Sequence, residues 1–176
     1  MRISAAILAV SLAVTPAAFA KAKGGITVPL KTSSGQDAGT ASFSPAKKNG
    51  VVIKLKLKNL PPGDHAVHIH EHAVCDAPDF KTAGGHFNPA EKKHGIENPM
   101  GHHNGDLPHN VAVGPDGTAS STFKVDYLSL DPTASDSLFA NGGTSIMVHE
   151  KADDMKTDPT GNAGNRIACG VIVAPK

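Results

Sequence analysis

The sequence predicts an all-β fold, a barrel or sandwich of about eight antiparallel strands with two long functional loops, and three observations lead there. Short β-rich runs recur between clusters of turn formers. Beyond the N-terminal segment, no amphipathic helix of ordinary length is legible. Two stretches lose the strand signal and yet hold many of the side chains that carry chemistry.

The first strand is read over residues 26–30 and the second over 40–43, with Ser33-Ser34-Gly35 between them. Lys48-Asn49-Gly50 turns the chain into a third strand over 51–57. There Val51-Val52-Ile53-Lys54-Leu55-Lys56-Leu57 ends in clean apolar/lysine alternation, the signature of a half-exposed strand. Pro61-Pro62-Gly63-Asp64 reads as a turn and 66–70 as a fourth strand. From 73 to 107 the chain is rich in Gly, Pro, His and Asn, and a loop of that length is foreign to a compact domain unless it is functional. Strands resume over 111–113 and 119–125, with Gly114-Pro115-Asp116-Gly117 turning between them. A strand over 145–149, a second loop over 152–165 and a last strand over 167–173 complete the chain.

Residues 1–20 read as a signal peptide and 21–176 as the mature domain. Arg2 is the only charge before Lys21, an apolar run covers 3–14, and Ala18-Phe19-Ala20 is a small-x-small cleavage signal. The run is too short to span a bilayer, so no membrane span is expected. The chain is expected to be exported, to the periplasm first and to the extracellular medium as the alternative. Cleavage removes Arg2 and no acid, leaving sixteen basic against sixteen acidic residues. So balanced a charge gives no general pull toward nucleic acid or an anionic membrane. The remaining length of about 150 residues suits one domain with one core. With no tryptophan, that core must rest on Val, Ile, Leu and Phe. Cys75 and Cys169 are the only cysteines, and in an exported protein a disulfide between them is the default. Closing so long a loop would stabilise the fold by roughly 4–5 kcal/mol in the chain-entropy picture.

Six of the ten histidines fall at spacings that suit two adjacent metal sites. On a strand, residues i and i+2 face one side, so His68 and His70 present two imidazoles together while Val67 and Ile69 enter the core. Gly84-Gly85-His86 brings a third ring where glycines would let the backbone pass close to an ion. His94 follows, His103 stands three residues before Asp106 across a tight turn, and His149 closes the set. Imidazole nitrogen suits zinc and copper, and a carboxylate completes a tetrahedral zinc site. Each histidine alone would be read as solvated. Six imidazoles and one carboxylate can serve two four-coordinate ions if one ring uses both nitrogens.

Five segments carry a resemblance to a known family: His68-Ile69-His70-Glu71; Gly85-His86-Phe87-Asn88-Pro89; Gly105-Asp106-Leu107; Val148-His149-Glu150-Lys151-Ala152-Asp153-Asp154; and Gly161-Asn162-Ala163-Gly164-Asn165-Arg166-Ile167-Ala168-Cys169-Gly170. From about Ile26 to its end the chain resembles the exported bacterial copper/zinc superoxide dismutases. The resemblance implies an eight-stranded antiparallel Greek-key barrel, superoxide as substrate, and one copper and one zinc ion per chain. It makes His68, His70, His86 and His149 the copper ligands. His86, His94, His103 and Asp106 become the zinc ligands, with His86 shared. It also implies catalytic roles for His86 and for Arg166, which attracts and orients the anion. Asp153 is implied to hydrogen-bond ligands of both metals, and Cys75–Cys169 to be the family disulfide. A homodimer is the one protein partnership it allows. His65, His72, His102 and His109 match no ligand and are read as solvated, with His72 free to take adventitious metal. The 154–162 segment lacks the paired glutamates of many eukaryotic members, and Lys156 is the cation it offers for guiding anions. The competing function is an exported copper- and zinc-binding protein without turnover. A third, a plain binding module, would make the histidine spacing an accident.

Overall fold

The computed structural model describes residues 24–176. The signal peptide and cleavage site read from residues 1–20 lie outside the described residues. The strands are β1 (Ile26–Thr32), β2 (Asp37–Pro45), β3 (Val51–Leu57), β4 (Gly63–His65), β5 (Val67–His70), β6 (Val111–Val113), β7 (Ala119–Val125), β8 (Thr144–His149) and β9 (Arg166–Ile172). Seven join in the order β5-β8-β9-β1-β2-β3-β7, while β4 pairs with β6, and every pairing is antiparallel. Only Ala66 separates β4 from β5, so those two are one path that joins the small sheet to the large one. Counted so, eight strand paths curl into a barrel. The β3-to-β4 and β7-to-β8 connections pass over neighbouring strands, which is the Greek-key pattern.

The strand over Gly63–His65 differs from the turn expected over 61–64, which takes in Gly63 and Asp64. Gly63 and Asp64 have little strand propensity, but β6 supplies a ladder in the register Gly63↔Val113 to His65↔Val111, and tertiary pairing overrides local preference. A third long connection, over residues 126–143, also escaped the two-loop reading. It inserts Leu128, Leu130, Leu138 and Phe139 into the core.

Strand parity decides what each face does. In β3, Val51, Ile53, Leu55 and Leu57 are buried while Lys54 and Lys56 are exposed, as the alternation requires. β5 and β8 are buried on both faces. Val67, Ile69, Ile146 and Val148 lie in register on the inner face and belong to the main core. The outer face carries His68, His70, Met147 and His149 and is covered by loops. Phe80, Ala83, Met147 and Cys169 form a second small apolar cluster there, with Cys75 packed against it. The Cys75–Cys169 disulfide therefore fastens the long connection onto β9, above the strands that bear the histidines. Among the described residues, no helix is long and apolar enough to cross a membrane.

Candidate metal centre

The free edge of β5 receives the loop that carries the other ligands expected from the sequence. Ile69 donates its N–H to Gly105 O at 2.9 Å and accepts from Phe87 N–H at 2.8 Å, and Gly105 N–H reaches Phe87 O at 2.7 Å. Isolated bridges pair His70 with His86 and His68 with Asp106. A side chain on Gly105 would strike Ile69 O, so this docking requires the glycine. Backbone ladders thus bring together residues that lie far apart in sequence. None of the six histidines, nor Asp106, is more than 7% exposed.

Two groups result, with His86 in both. His68, His70, His86 and His149 converge in the first, where His70 Nε2 and His149 Nε2 lie 3.4 Å apart. The second gathers around the Asp106 carboxylate. Asp106 Oδ1 is 2.9 Å from His86 Nδ1, 3.0 Å from His94 Nδ1 and 3.2 Å from His103 Nδ1, and the two Nδ1 atoms of His86 and His103 are 3.3 Å apart. An ion bound tetrahedrally at about 2.0–2.1 Å would space its ligands by about 3.3 Å. His68 also lies within reach of His86, His94 and Asp106. The closely spaced nitrogens around Asp106 Oδ1 include His103 Nδ1 at 3.2 Å, however, which makes His103 the better fourth member.

The rings do not form a self-satisfied polar core. His68 Nδ1 and His86 Nε2 are buried without a hydrogen-bond partner, and His94 Nδ1 has only the Asp106 carboxylate, at 3.0 Å. Buried polar atoms are rarely left so, and the first two are unengaged ring nitrogens inside the cluster. Asp153 fixes two of these orientations, accepting from His68 Nε2 and, through its other oxygen, from His94 Nε2 at 3.0 Å. It is itself gripped by Asn110, which takes its N–H at 2.8 Å and donates Nδ2–H to its carbonyl at 2.9 Å. Gly161 has φ +62, and a Cβ there would collide with the Asp153 carboxylate and His94 Nε2.

Burial holds His68, His70 and His149 below the ordinary imidazole value, His70 and His149 well below it. Burial, with His68 close by, brings His86 down to about 3. Burial would also lower His94, yet its bonds to Asp106 and Asp153 win and raise it to about 9. Burial works against both carboxylates as well, but the surrounding imidazoles hold Asp106 and Asp153 well below the usual carboxylate range. The first group is therefore four neutral rings suited to copper, and the second holds the negative charge that suits a divalent zinc ion.

Arg166 donates from Nη1 to Phe80 O and from Nη2 to Gly84 O, each at 2.6 Å, and Gly84 O also faces His70 Nδ1 at 3.0 Å. Gly84 thus serves through its carbonyl and its left-handed backbone (φ +74). A Cβ there would meet the side chains of Glu71 and His72, so approach of the backbone to an ion is not its reason. Lys156, read as a guide for anions, is paired with Glu97 at 2.9 Å.

His65 was read as solvated and is instead 2% exposed. Its Nδ1 lies 2.7 Å from His149 O and its Nε2 2.8 Å from Pro61 O, so it ties the end of β8 to the entry of β4. Strand parity counts His65 with Val67 and Ile69 rather than with His68 and His70, a signal that the turn reading of 61–64 concealed. Asn110 was missed as well. His72 is exposed beside Glu71, and His109 is exposed and stacked on Phe123. His102 is half-buried and packs edge-on against Tyr127, with Nδ1 2.7 Å from His103 O.

Fold and site together define a Greek-key β-barrel protein with two imidazole-rich metal positions sharing one histidine. The chain belongs to the copper/zinc superoxide dismutase family, whose model matches residues 37–172. Superoxide dismutase (Cu-Zn) 1 of Aquifex aeolicus (strain VF5) is 50% identical over 125 residues, covering 70% of this chain and 73% of the relative. The Cu-Zn enzyme of Caulobacter vibrioides is 43% identical over 148 residues, covering 83% and 84%. Among solved structures, a superoxide dismutase-like protein from Bacillus subtilis superposes with TM-score 0.80 at 38% identity, over 84% of this chain and 97% of that one. Cu/Zn superoxide dismutase from Brucella abortus gives TM-score 0.68 at 30% identity, over 85% and 99%.

Proposed function

We propose that this chain dismutates superoxide to dioxygen and hydrogen peroxide, using one copper and one zinc ion. The observation that carries the reading is the shared ring. His86 turns Nδ1 to the carboxylate-centred group and an unpartnered Nε2 to the all-imidazole group. Bound copper supplies the one-electron exchange that zinc, having no redox chemistry, lacks. The protein's own part is positional and electrostatic. His68, His70, His86 and His149 hold the copper, and His86, His94, His103 and Asp106 hold the zinc. Asp153 occupies Nε2 of His68 and of His94 and so directs Nδ1 of each ring to the metal positions, a support that ligand rings usually need. Arg166 is anchored by backbone carbonyls rather than by an acid, so its positive charge stays available to attract and orient the anion. His86 Nε2 is the atom at which the chain holds a proton for the peroxide-forming half of the reaction.

The disulfide fits an oxidising compartment and supports export. We further propose removal of residues 1–20, a functional domain over 21–176, and the periplasm as its location. Every site residue comes from one chain, so the chemistry itself does not call for a homodimer.

Superoxide dismutation by the copper- and zinc-loaded mature chain, with the zinc-only protein as control, tests the reading. Metal analysis should give one copper and one zinc per chain. Stoichiometric metals without dismutation would leave the binding protein without turnover as the function.

A further inference from the structure

We propose that the outer face of the β2-β3-β7 sheet binds a linear polyanion, a phosphate- or sulfate-bearing polymer without bases or acyl chains. These three strands carry none of the metal-site residues, so the proposal stands apart from the dismutase reading.

The near-neutral total conceals a segregation of charge. Residues 24–63 hold six lysines and one acid, whereas residues 64–176 hold eight basic residues and fifteen acids. The sheet draws part of the basic share into a row. Lys54 and Lys56 point outward from β3, and Lys124 of β7 stands opposite Val52 on the same face. The three follow one another along the strand direction at spacings of about 7–8 Å. All are exposed, and among the described residues none has an ion-pair partner. Their neighbours in register are hydroxyls, Ser42 and Thr122 beside Lys54, Thr40 and Ser120 beside Lys56. Asp37 is the only acid on the three strands, and it is engaged by Lys58 at 2.8 Å and faces Lys31 in register. Past the end of β7, Asp126 lines a separate cavity with Asp136 and bounds the row.

The chemistry of the row selects the partner. Unpaired ammonium groups in line, with hydroxyl donors between them, match a chain of charged oxygens and release its counterions on contact. The face presents no aromatic ring, since Phe43 and Phe123 are buried, so it lacks the stacking platform that single-stranded nucleic acid uses. The exposed large apolar side chains, Val74, Met100, Val171 and Val173, all lie on other segments, so this face has none to sink into a bilayer. What remains is a polymer held through its charge alone.

The experiment uses the copper- and zinc-loaded full chain and measures its affinity for labelled linear polyphosphate and labelled dextran sulfate against ionic strength. Wild type is compared with a face variant, Lys54→Gln with Lys56→Gln and Lys124→Gln, and with the same three positions changed to Arg. A third variant, Lys92→Gln with Lys151→Gln and Lys176→Gln, loses the same charge elsewhere. At about 50 mM salt the face variant should bind at least about tenfold more weakly, and its slope of log affinity against log salt should be shallower by about 2. The arginine variant should match wild type, and the distant variant should stay within about twofold of it. Unchanged copper and zinc content in the face variant shows that it is folded. The polymer bound more tightly at equal charge identifies phosphate or sulfate as the source. Equal losses in the two glutamine variants, or no loss in the face variant, would overturn the proposal. Tighter binding of a thymidine oligomer or of phosphatidylglycerol vesicles than of both polymers, at equal charge, would overturn the choice of partner.

Discussion

The two halves of the metal centre are built from different material. His68 and His70 stand on β5 and His149 ends β8, so the ladder of a closed barrel places three rings of the proposed copper half. His94, His103 and Asp106 stand on the connection between β5 and β6, where only scattered backbone bonds hold the chain. The electrostatics divide along the same line. Burial keeps the strand-borne rings neutral, whereas the loop-borne half gathers a carboxylate held ionised and a His94 pushed up to about 9. A site on strands can be pre-organised by packing alone. A site on a loop must be held by charge and hydrogen bonds, and it stays dependent on the ion that completes it.

The largest expected effect tests whether the halves are separable. His149→Ala should reduce copper-dependent dismutation to background and abolish stoichiometric copper, while zinc stays bound. His103→Ala should do the reverse, losing zinc while the four copper-side rings remain. Metal analysis of the two variants reads this directly. Loss of both metals in both variants would break the division.

A smaller effect should fall on the one residue that joins them. Asp153 accepts from a ring of each half, so Asp153→Asn should weaken copper and zinc together, by roughly 10- to 100-fold in affinity. Competition titrations with a chelator would show it. Weakening of zinc alone would mean that β5 positions His68 without help, and would sharpen the contrast between strand and loop.

Legibility in the sequence followed the same boundary. The alternation in β3 and the His68/His70 pair are local periodicities, and a period of two is visible in any window of the chain. What supports the site is not local. His65 bonds to His149 O across 84 residues, and Arg166 reaches Phe80 O and Gly84 O across 86 and 82. Those acceptors are carbonyls, which every residue has, so side-chain identity gives no hint of them. Gly63 and Asp64 look like a turn in the sequence because their strand character comes from β6 alone. The proposed ligand set comes from the resemblance, since its residues are distinctive and stand in long matched segments, and the fold brings those residues together.

The smallest effect separates the halves by pH in the metal-free chain. His70, His86 and His149 have folded values below the unfolded imidazole value of about 6.5, His86 at about 3, so below pH 6.5 the unfolded chain binds protons that the folded chain refuses. Stability should therefore fall as pH drops below 6.5, by up to about 1.4 kcal/mol per pH unit for each such ring. His94 works in the opposite sense. Raised to about 9, it contributes stability that is full below 6.5 and lost as pH rises through 9, with a slope of one proton. Asp106 and Asp153, held low, contribute only above the usual carboxylate range and lose that contribution in stronger acid. Metal-free protein should thus show a stability maximum near pH 6.5, with a steep acid limb from the strand-borne rings and His86 and a shallow alkaline limb from the loop. Thermal unfolding across pH 5–9, with chelator and with both metals, would display the two limbs. Metals occupy the same lone pairs and should flatten both. In Asp153→Asn the alkaline limb should weaken while the acid limb survives, because His94 loses a charged partner and the rings of His70 and His149 lose nothing. A metal-free chain whose melting temperature is level from pH 5 to 6.5 would show that the strand-borne rings are not held neutral by burial, and the contrast between the halves would fail at its electrostatic root.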